Sequence, residues 1–269
     1  MRAARLLSAL RTTPRITGER IVSPAGGFNA TWQRHVAAYL ACEPFLGPGR
    51  VLDVGCGAGH SFDRLAPRET VGVDADHRAL VGQDRTTVVA DMRALPFAAA
   101  TFSSVVAVHS IEHVPDPGRA VAEAARVLEP DGVAAFVTPN RLTFGRPDEI
   151  IDPYHYVELD PCELRRLCER CFDQVEVHGL FGSARYLELF ARERRTLDRL
   201  LGLDPLAVRR LVPRRARQIA YDGLLRRFRR AEDPRAAAID AHDFELRHDR
   251  LDEALDVVAV CRRPLGVPA

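Results

Sequence analysis

From position 51 the chain alternates short apolar runs with longer amphipathic stretches, the pattern of βα units that build a parallel sheet. The runs predict strands at Arg50 to Val54, Thr70 to Asp74, Thr86 to Ala90, Phe102 to His109 and Gly132 to Thr138, with helices between them. One helix is bounded sharply: Asp116 supplies an N-cap, Pro117 the first turn, Val121, Ala124 and Leu128 an apolar face, and Asp131-Gly132 the stop. A second starts at Asp160, where Pro161 and Glu163 complete a capping box, and is expected to run to about Cys171.

Two further strands are predicted, Gln174 to Leu180 and Asp256 to Arg262. The stretch between them is too long for a turn and must carry structure of its own. Leucines at Leu187, Leu197, Leu200, Leu201, Leu224 and Leu225 are interspersed with arginines, so 183–249 reads as a helical insertion. The expected organisation is an N-terminal arm with helices over 1–48, a core over 49–182 and 250–265, and the insertion as a cap.

With 269 residues, 46% of them hydrophobic and 28% charged, the chain can bury a sizeable core and has the makeup of a soluble, cytoplasmic protein. The formal net charge of +1 gives no global field for nucleic acid or an anionic surface. All 38 basic residues are arginine, so local arginine density carries less meaning than usual. The arginines of the insertion read first as a solvated helix face, and peripheral contact with a membrane or a partner protein stays open. The six cysteines form no disulfide framework, and Cys168 and Cys171 read as helix packing rather than a zinc half-site; no metal is expected. The segment before Arg15 reads as a loose arm rather than a signal peptide.

The chemistry concentrates at Val51-Leu52-Asp53-Val54-Gly55-Cys56-Gly57-Ala58-Gly59, a buried strand running into a turn whose alternate glycines let a ligand touch the backbone. Dinucleotide enzymes space their glycines G-x-G-x-x-G to seat a pyrophosphate. Here the spacing is G-x-G-x-G, and Asp53 precedes it. A carboxylate there repels a pyrophosphate and suits a ligand carrying an ammonium and a sulfonium. Asp74 closes the next strand, where a carboxylate can accept from both hydroxyls of a ribose. Asp91 and Met92 follow the third, positioned to meet an exocyclic amine and the face of an adenine.

With VLDVGCGAGH, VGVDAD, ADMRALPF, SIEHVPDP and EAARVLEPDGVAAFVTPN in view, the chain resembles the class I S-adenosylmethionine-dependent methyltransferases, within them the small-molecule group called methyltransferase type 11. The resemblance covers about 50–182 and the final strand DVVAVC. It implies a Rossmann-like α/β fold with a seven-stranded sheet in the order 3-2-1-4-5-7-6, the last strand antiparallel, helices on both faces, and the insertion between strands 6 and 7. It also implies S-adenosyl-L-methionine as cofactor, held by Asp53, Gly55, Cys56, Gly57, Asp74, Ala75, Asp91 and Met92, with His109 near the methyl group.

Methyl transfer from a sulfonium is an in-line displacement that needs position more than chemistry. A hydroxyl acceptor must lose a proton, and His109, His113 and His155 are the candidate bases. His155 stands in a Y-H-x-x-E stretch that similar enzymes place against the substrate. Trp32, His35 and Tyr39 share a helical face that packs or contributes to the acceptor site. The expected reaction is O-methylation of a small molecule, for which Thr17-Gly18-Glu19-Arg20 suggests a sugar or lipid-linked glycan. The rival readings are a non-catalytic cofactor-binding partner and an RNA or protein methyltransferase; against the latter stand the missing amine-recognition tetrad and the low net charge.

Overall fold

The computed structural model describes residues 24–59, 62–144, 149–202, 204, 208–229 and 233–266. The Thr17–Arg20 element of the sequence reading lies outside these residues. The sheet has eight strands: β1 (Val51–Val54), β2 (Thr70–Asp74), β3 (Thr87–Val89), β4 (Phe102–Val108), β5 (Leu128–Pro139), β6 (Phe172–Gly182), β7 (Phe244–Arg247) and β8 (Asp256–Pro264). Their order is β3-β2-β1-β4-β5-β8-β6-β7, parallel from β3 through β5 and antiparallel for the rest. This is the expected 3-2-1-4-5-7-6 sheet, in which β8 takes the place of strand seven, extended by one strand.

The extra strand is β7. It falls within 183–249, the segment read as wholly helical, and pairs with the far end of β6, Gly182 opposite Phe244 and Gly179 opposite Arg247. Its four residues are too few to show a two-residue period, and β6, longer than predicted, supplies the edge it needs. Among the described residues this segment also holds the helices α4 (Ala184–Gly202) and α5 (Arg214–Arg229) and a helical turn at Pro234–Ala237.

Among the helices of the described residues that precede these, the longer ones are α1 (Asn29–Cys42), α2 (Pro117–Val127) and α3 (Pro161–Cys168). The Asp116 side chain accepts from the Arg119 N–H, and Asp160 and Glu163 cap each other's backbone, as predicted. Helix α3 ends at Cys168 rather than Cys171 because the chain must turn to enter β6 at Phe172. Cys168 is fully buried in the core, and Cys171, beyond the helix end, packs against it.

Alternate residues of the central strands feed two cores, one on each face of the sheet. Leu52, Val105, Ala107, Phe136, Val257 and Ala259 meet α2 and α3 on one side. Val51, Val106, Val108, Val137, Val258 and Val260 meet Ala37, Ala38, Tyr39 and Cys42 of α1 on the other. Helix α1 therefore covers the sheet directly beside the carboxyl ends of β1 and β4. No helix among the described residues is long and apolar enough to cross a membrane.

Arg195, Arg199 and Arg215 are exposed, as a solvated helix face would have them, while other arginines of the insertion are tied down. Arg209 makes two bonds of 2.6 and 2.7 Å to Glu149. Arg214 donates to the carbonyls of Pro153 and Tyr154 at 2.8 Å and lies over the Tyr156 ring, 3.4 Å from its centroid. Arg194 bonds the Thr143 carbonyl, and Arg185 bonds Asp243, whose carboxyl is pushed down to about 2 because these bonds outweigh the cost of burial.

Candidate active site

At the carboxyl edge of the sheet, the turn after β1 takes three left-handed residues in alternation: Gly55 at φ 76°, Gly57 at 53° and Gly59 at 74°. Only glycine adopts these angles without strain, which explains the G-x-G-x-G spacing. A Cβ on Gly55 would also lie 2.4 Å from Cβ of Ser110, whose hydroxyl is tied to the Val54 carbonyl at 3.0 Å. The loop after β4 thus rests against the turn, and a cavity of about 290 Å³ opens between them.

Gly55, Cys56, Gly57, Asp74, Ala75, Asp91, Met92, His109 and His113, all singled out in the sequence, line this cleft together. Two aromatic residues of the α1 face join them, His35 and Tyr39, whereas Trp32 does not line it. His155 stands one layer back, its ring 5.1 Å from that of His113.

Asp53 lies beneath the cleft, fully buried, with Oδ1 accepting from the Tyr39 hydroxyl at 2.8 Å and Oδ2 without a hydrogen-bond partner. Burial drives its pKa up to about 7, against the lowering effect of the Tyr39 bond, and the nearby Asp74 charge adds to the rise. Each oxygen of Asp74 accepts one backbone N–H, from Gly57 at 3.0 Å and Asp76 at 2.8 Å. These bonds fix the carboxylate at the edge of the cleft. Asp91 is held differently from the sequence picture. Its oxygens pair with the Arg93 guanidinium at 2.6 to 3.2 Å, which lowers its pKa.

His109 ends β4 in a left-handed conformation, φ 47°. Its Nε2 lies 3.0 Å from Asp256 Oδ1, and the His35 ring meets it edge-on at 4.4 Å. Asp256 is fully buried and also receives Arg34, with bonds of 2.8 and 2.6 Å. Burial penalises its ionised form, yet Arg34 and His109 outweigh that and hold its pKa below the ordinary carboxylate range.

The SIEHV loop meets the 152–158 loop across a buried polar cluster. His155 Nδ1 lies 3.0 Å from Glu158 Oε1, His113 Nδ1 donates to the Tyr154 carbonyl at 3.3 Å, and the Tyr156 N–H donates to the Glu112 carbonyl at 2.8 Å. Burial pulls the His155 pKa down, but the Glu158 bond and the charges of Asp152 and Glu112 reverse this and leave it raised. Beyond His155 the Phe144 ring, 5.3 Å away, borders a second cavity of about 630 Å³ lined by Leu189, Phe190 and Leu197 of α4 and Tyr221, Leu224 and Leu225 of α5.

Arg34, Glu112, Glu158 and Asp256 were not singled out in the sequence. Glu112 and Glu158 stood in view, in SIEHV and Y-H-x-x-E. Arg34 and Asp256 are 222 positions apart and carry no local signal.

Residues 52–136 match the methyltransferase-domain family model. The chain is 32% identical over 263 residues to a Mycobacterium tuberculosis protein described as "Probable S-adenosylmethionine-dependent methyltransferase", covering 93% of this chain and 89% of that one. The chain belongs to the S-adenosylmethionine-dependent methyltransferases. A Mycolicibacterium smegmatis relative of the same description is 31% identical over 268 residues, with 96% and 98% covered. A methyltransferase of this kind from Thermotoga maritima shares the fold, with a TM-score of 0.58 at 16% identity over 88% of this methyltransferase and 92% of that chain. The enzyme's cofactor is S-adenosylmethionine. The cleft fits it in chemistry: a bare glycine turn, a buried carboxylate oxygen with no partner, and a second carboxylate fixed at the end of the next strand.

Proposed function

We propose that this methyltransferase transfers the cofactor's methyl group to a hydroxyl oxygen of a small molecule that carries an apolar part, with a lipid-linked sugar as the favoured class. The reading is carried by one observation: the His113 ring borders the cofactor cleft and contacts His155, whose Nδ1 is engaged by the buried Glu158. Sulfonium transfer to an amine that is already neutral needs no base, whereas a hydroxyl must lose its proton as the C–O bond forms.

In this reading Asp53 and the glycine turn hold the methionine part, with Gly55, Cys56 and Gly57 giving the backbone edge. Asp74 and Ala75 hold the ribose, and Asp91 with Met92 the adenine. His109, fixed by Asp256, forms the wall at the methyl group. His113 and His155 face the acceptor and take up its proton, and Glu158 sets the orientation of His155. The acceptor's hydrocarbon part occupies the 630 Å³ cavity, whose leucines and phenylalanine offer apolar burial and whose Arg192 and Arg235 offer a charged rim.

Amphiphilic alcohols, their amine counterparts and glycosides are offered with adenosylmethionine, and adenosylhomocysteine is measured. Release with the alcohols or glycosides supports the reading, and release only with amines, carbon acids, RNA or protein overturns it.

A further inference from the structure

The polar cluster behind the cleft holds two buried carboxylates, Glu112 and Glu158, each with one oxygen that has no hydrogen-bond partner. Glu112 is 1% exposed, its Oε2 accepts from the Thr138 hydroxyl at 3.2 Å, and its Oε1 has no hydrogen-bond partner. A buried carboxylate oxygen left this way is costly unless something cationic answers it. Two imidazoles stand beside it. One ligand atom from each of Glu112, His113 and His155 lies within 4.8 Å of the other two.

Each histidine is held through one ring nitrogen. His113 is held through Nδ1 by the Tyr154 carbonyl, and His155 through Nδ1 by Glu158. Each bond fixes the tautomer with its proton on Nδ1 and leaves the Nε2 lone pair for another partner. A backbone carbonyl and a carboxylate in this outer position are the supports that metal-binding histidines use.

We propose that Glu112, His113 and His155 form a site for one divalent cation of the zinc class. Two imidazoles and a carboxylate suit Zn²⁺ or Co²⁺ better than Mg²⁺ or Ca²⁺, which prefer all-oxygen sites. Three protein ligands leave a fourth position open, as in catalytic rather than structural sites. His113 places the site at the wall of the cofactor cleft, and Phe144 against His155 places it beside the larger cavity.

The use of the cation rests on the O-methylation reading; its binding does not. With the cation bound, His113 and His155 serve as its ligands in place of acting as bases, and an acceptor hydroxyl in the open position would lose its proton to solvent water more readily. Its oxygen then forms the C–O bond as the methyl C–S bond breaks, and the electron pair of that bond goes to sulfur, leaving neutral adenosylhomocysteine.

The whole protein, stripped with chelator, is titrated with Zn²⁺ by calorimetry and with Co²⁺ by absorption. One equivalent binds to the unaltered protein. Glu112→Gln and His155→Ala each weaken binding at least about 100-fold, and Glu158→Gln weakens it about 10- to 100-fold while adenosylmethionine affinity is retained. No stoichiometric binding means that a protonated His155 alone answers the Glu112 charge, and overturns the site. Unchanged affinity in the variants places the cation at another histidine and overturns it too. If His155→Ala fails to fold, the volume-preserving Glu112→Gln and Glu158→Gln decide. Methyl transfer only to nitrogen or carbon would overturn the oxygen-acceptor reading and leave the titration result intact.

Discussion

Asp256, the first residue of β8, lies 3.0 Å from Nε2 of His109, the residue that follows β4, and the two strands are not neighbours in the sheet. The carboxylate reaches across the end of β5 and receives Arg34 of α1 on both oxygens. One buried anion therefore fixes the helix that roofs the cleft and the imidazole in its wall.

Asp256→Asn should be strongly destabilising, because Arg34 would remain buried with its charge unanswered. Breaking a buried pair by removing one partner costs about 3–5 kcal/mol. Urea unfolding of the variant should show an unfolding free energy lowered by that amount, and a loss below about 1 kcal/mol would mean that water reaches Arg34.

Gly55→Ala meets two obstacles at once, a left-handed φ of 76° and Ser110 Cβ at 2.4 Å. Strain of this kind costs about 1–3 kcal/mol. The expected result is a reduced melting temperature together with at least tenfold weaker adenosylmethionine binding by calorimetry. Unchanged binding would place the cofactor away from this turn.

Asp53 makes the stability of the fold depend on pH. Its pKa of about 7 in the folded apo protein stands above its unfolded value, so between about pH 4 and 7 the native state holds a proton that the unfolded chain has lost. Its contribution to stability is complete below pH 4 and is lost as pH rises through 7. Asp53→Asn should flatten the fall in apo melting temperature over that window while weakening the cofactor. A fall as steep in the variant as in the parent would assign the dependence to other groups.

Asp243 works in the opposite direction. Its folded pKa of about 2 lies below the ordinary value, so its stabilisation is present at neutral pH and is lost as pH falls from about 4 through 2. Arg185→Ala should remove this part of the acid sensitivity, read as a smaller difference in melting temperature between pH 6 and pH 3.

Much of this molecule was legible along the chain where the determinants are local. The Asp116 cap, the Asp160–Glu163 box and the glycine turn each depend on residues within a few positions of one another, and each forms as read. The short apolar runs placed the central strands because both faces of the sheet are buried, so most positions along them are apolar. What escaped depends on distance. Strand β7 exists because β6 extends to Gly182 and offers it an edge, and Asp256 gains its meaning from Arg34 and His109, far away in sequence. The contacts of Arg194, Arg209 and Arg214 escaped because their acceptors, the carbonyls at 143 and 153–154 and Glu149, lie in another segment.

The most direct test follows the methyl group itself. Adenosylmethionine labelled with ¹³C in its methyl is incubated with the enzyme and an amphiphilic alcohol or glycoside, and the product is read by carbon–proton correlation. The account predicts one labelled methyl at the shift of a methoxy group, in amount equal to the adenosylhomocysteine released. A labelled methyl on nitrogen or carbon, or adenosylhomocysteine without a labelled product, would contradict it.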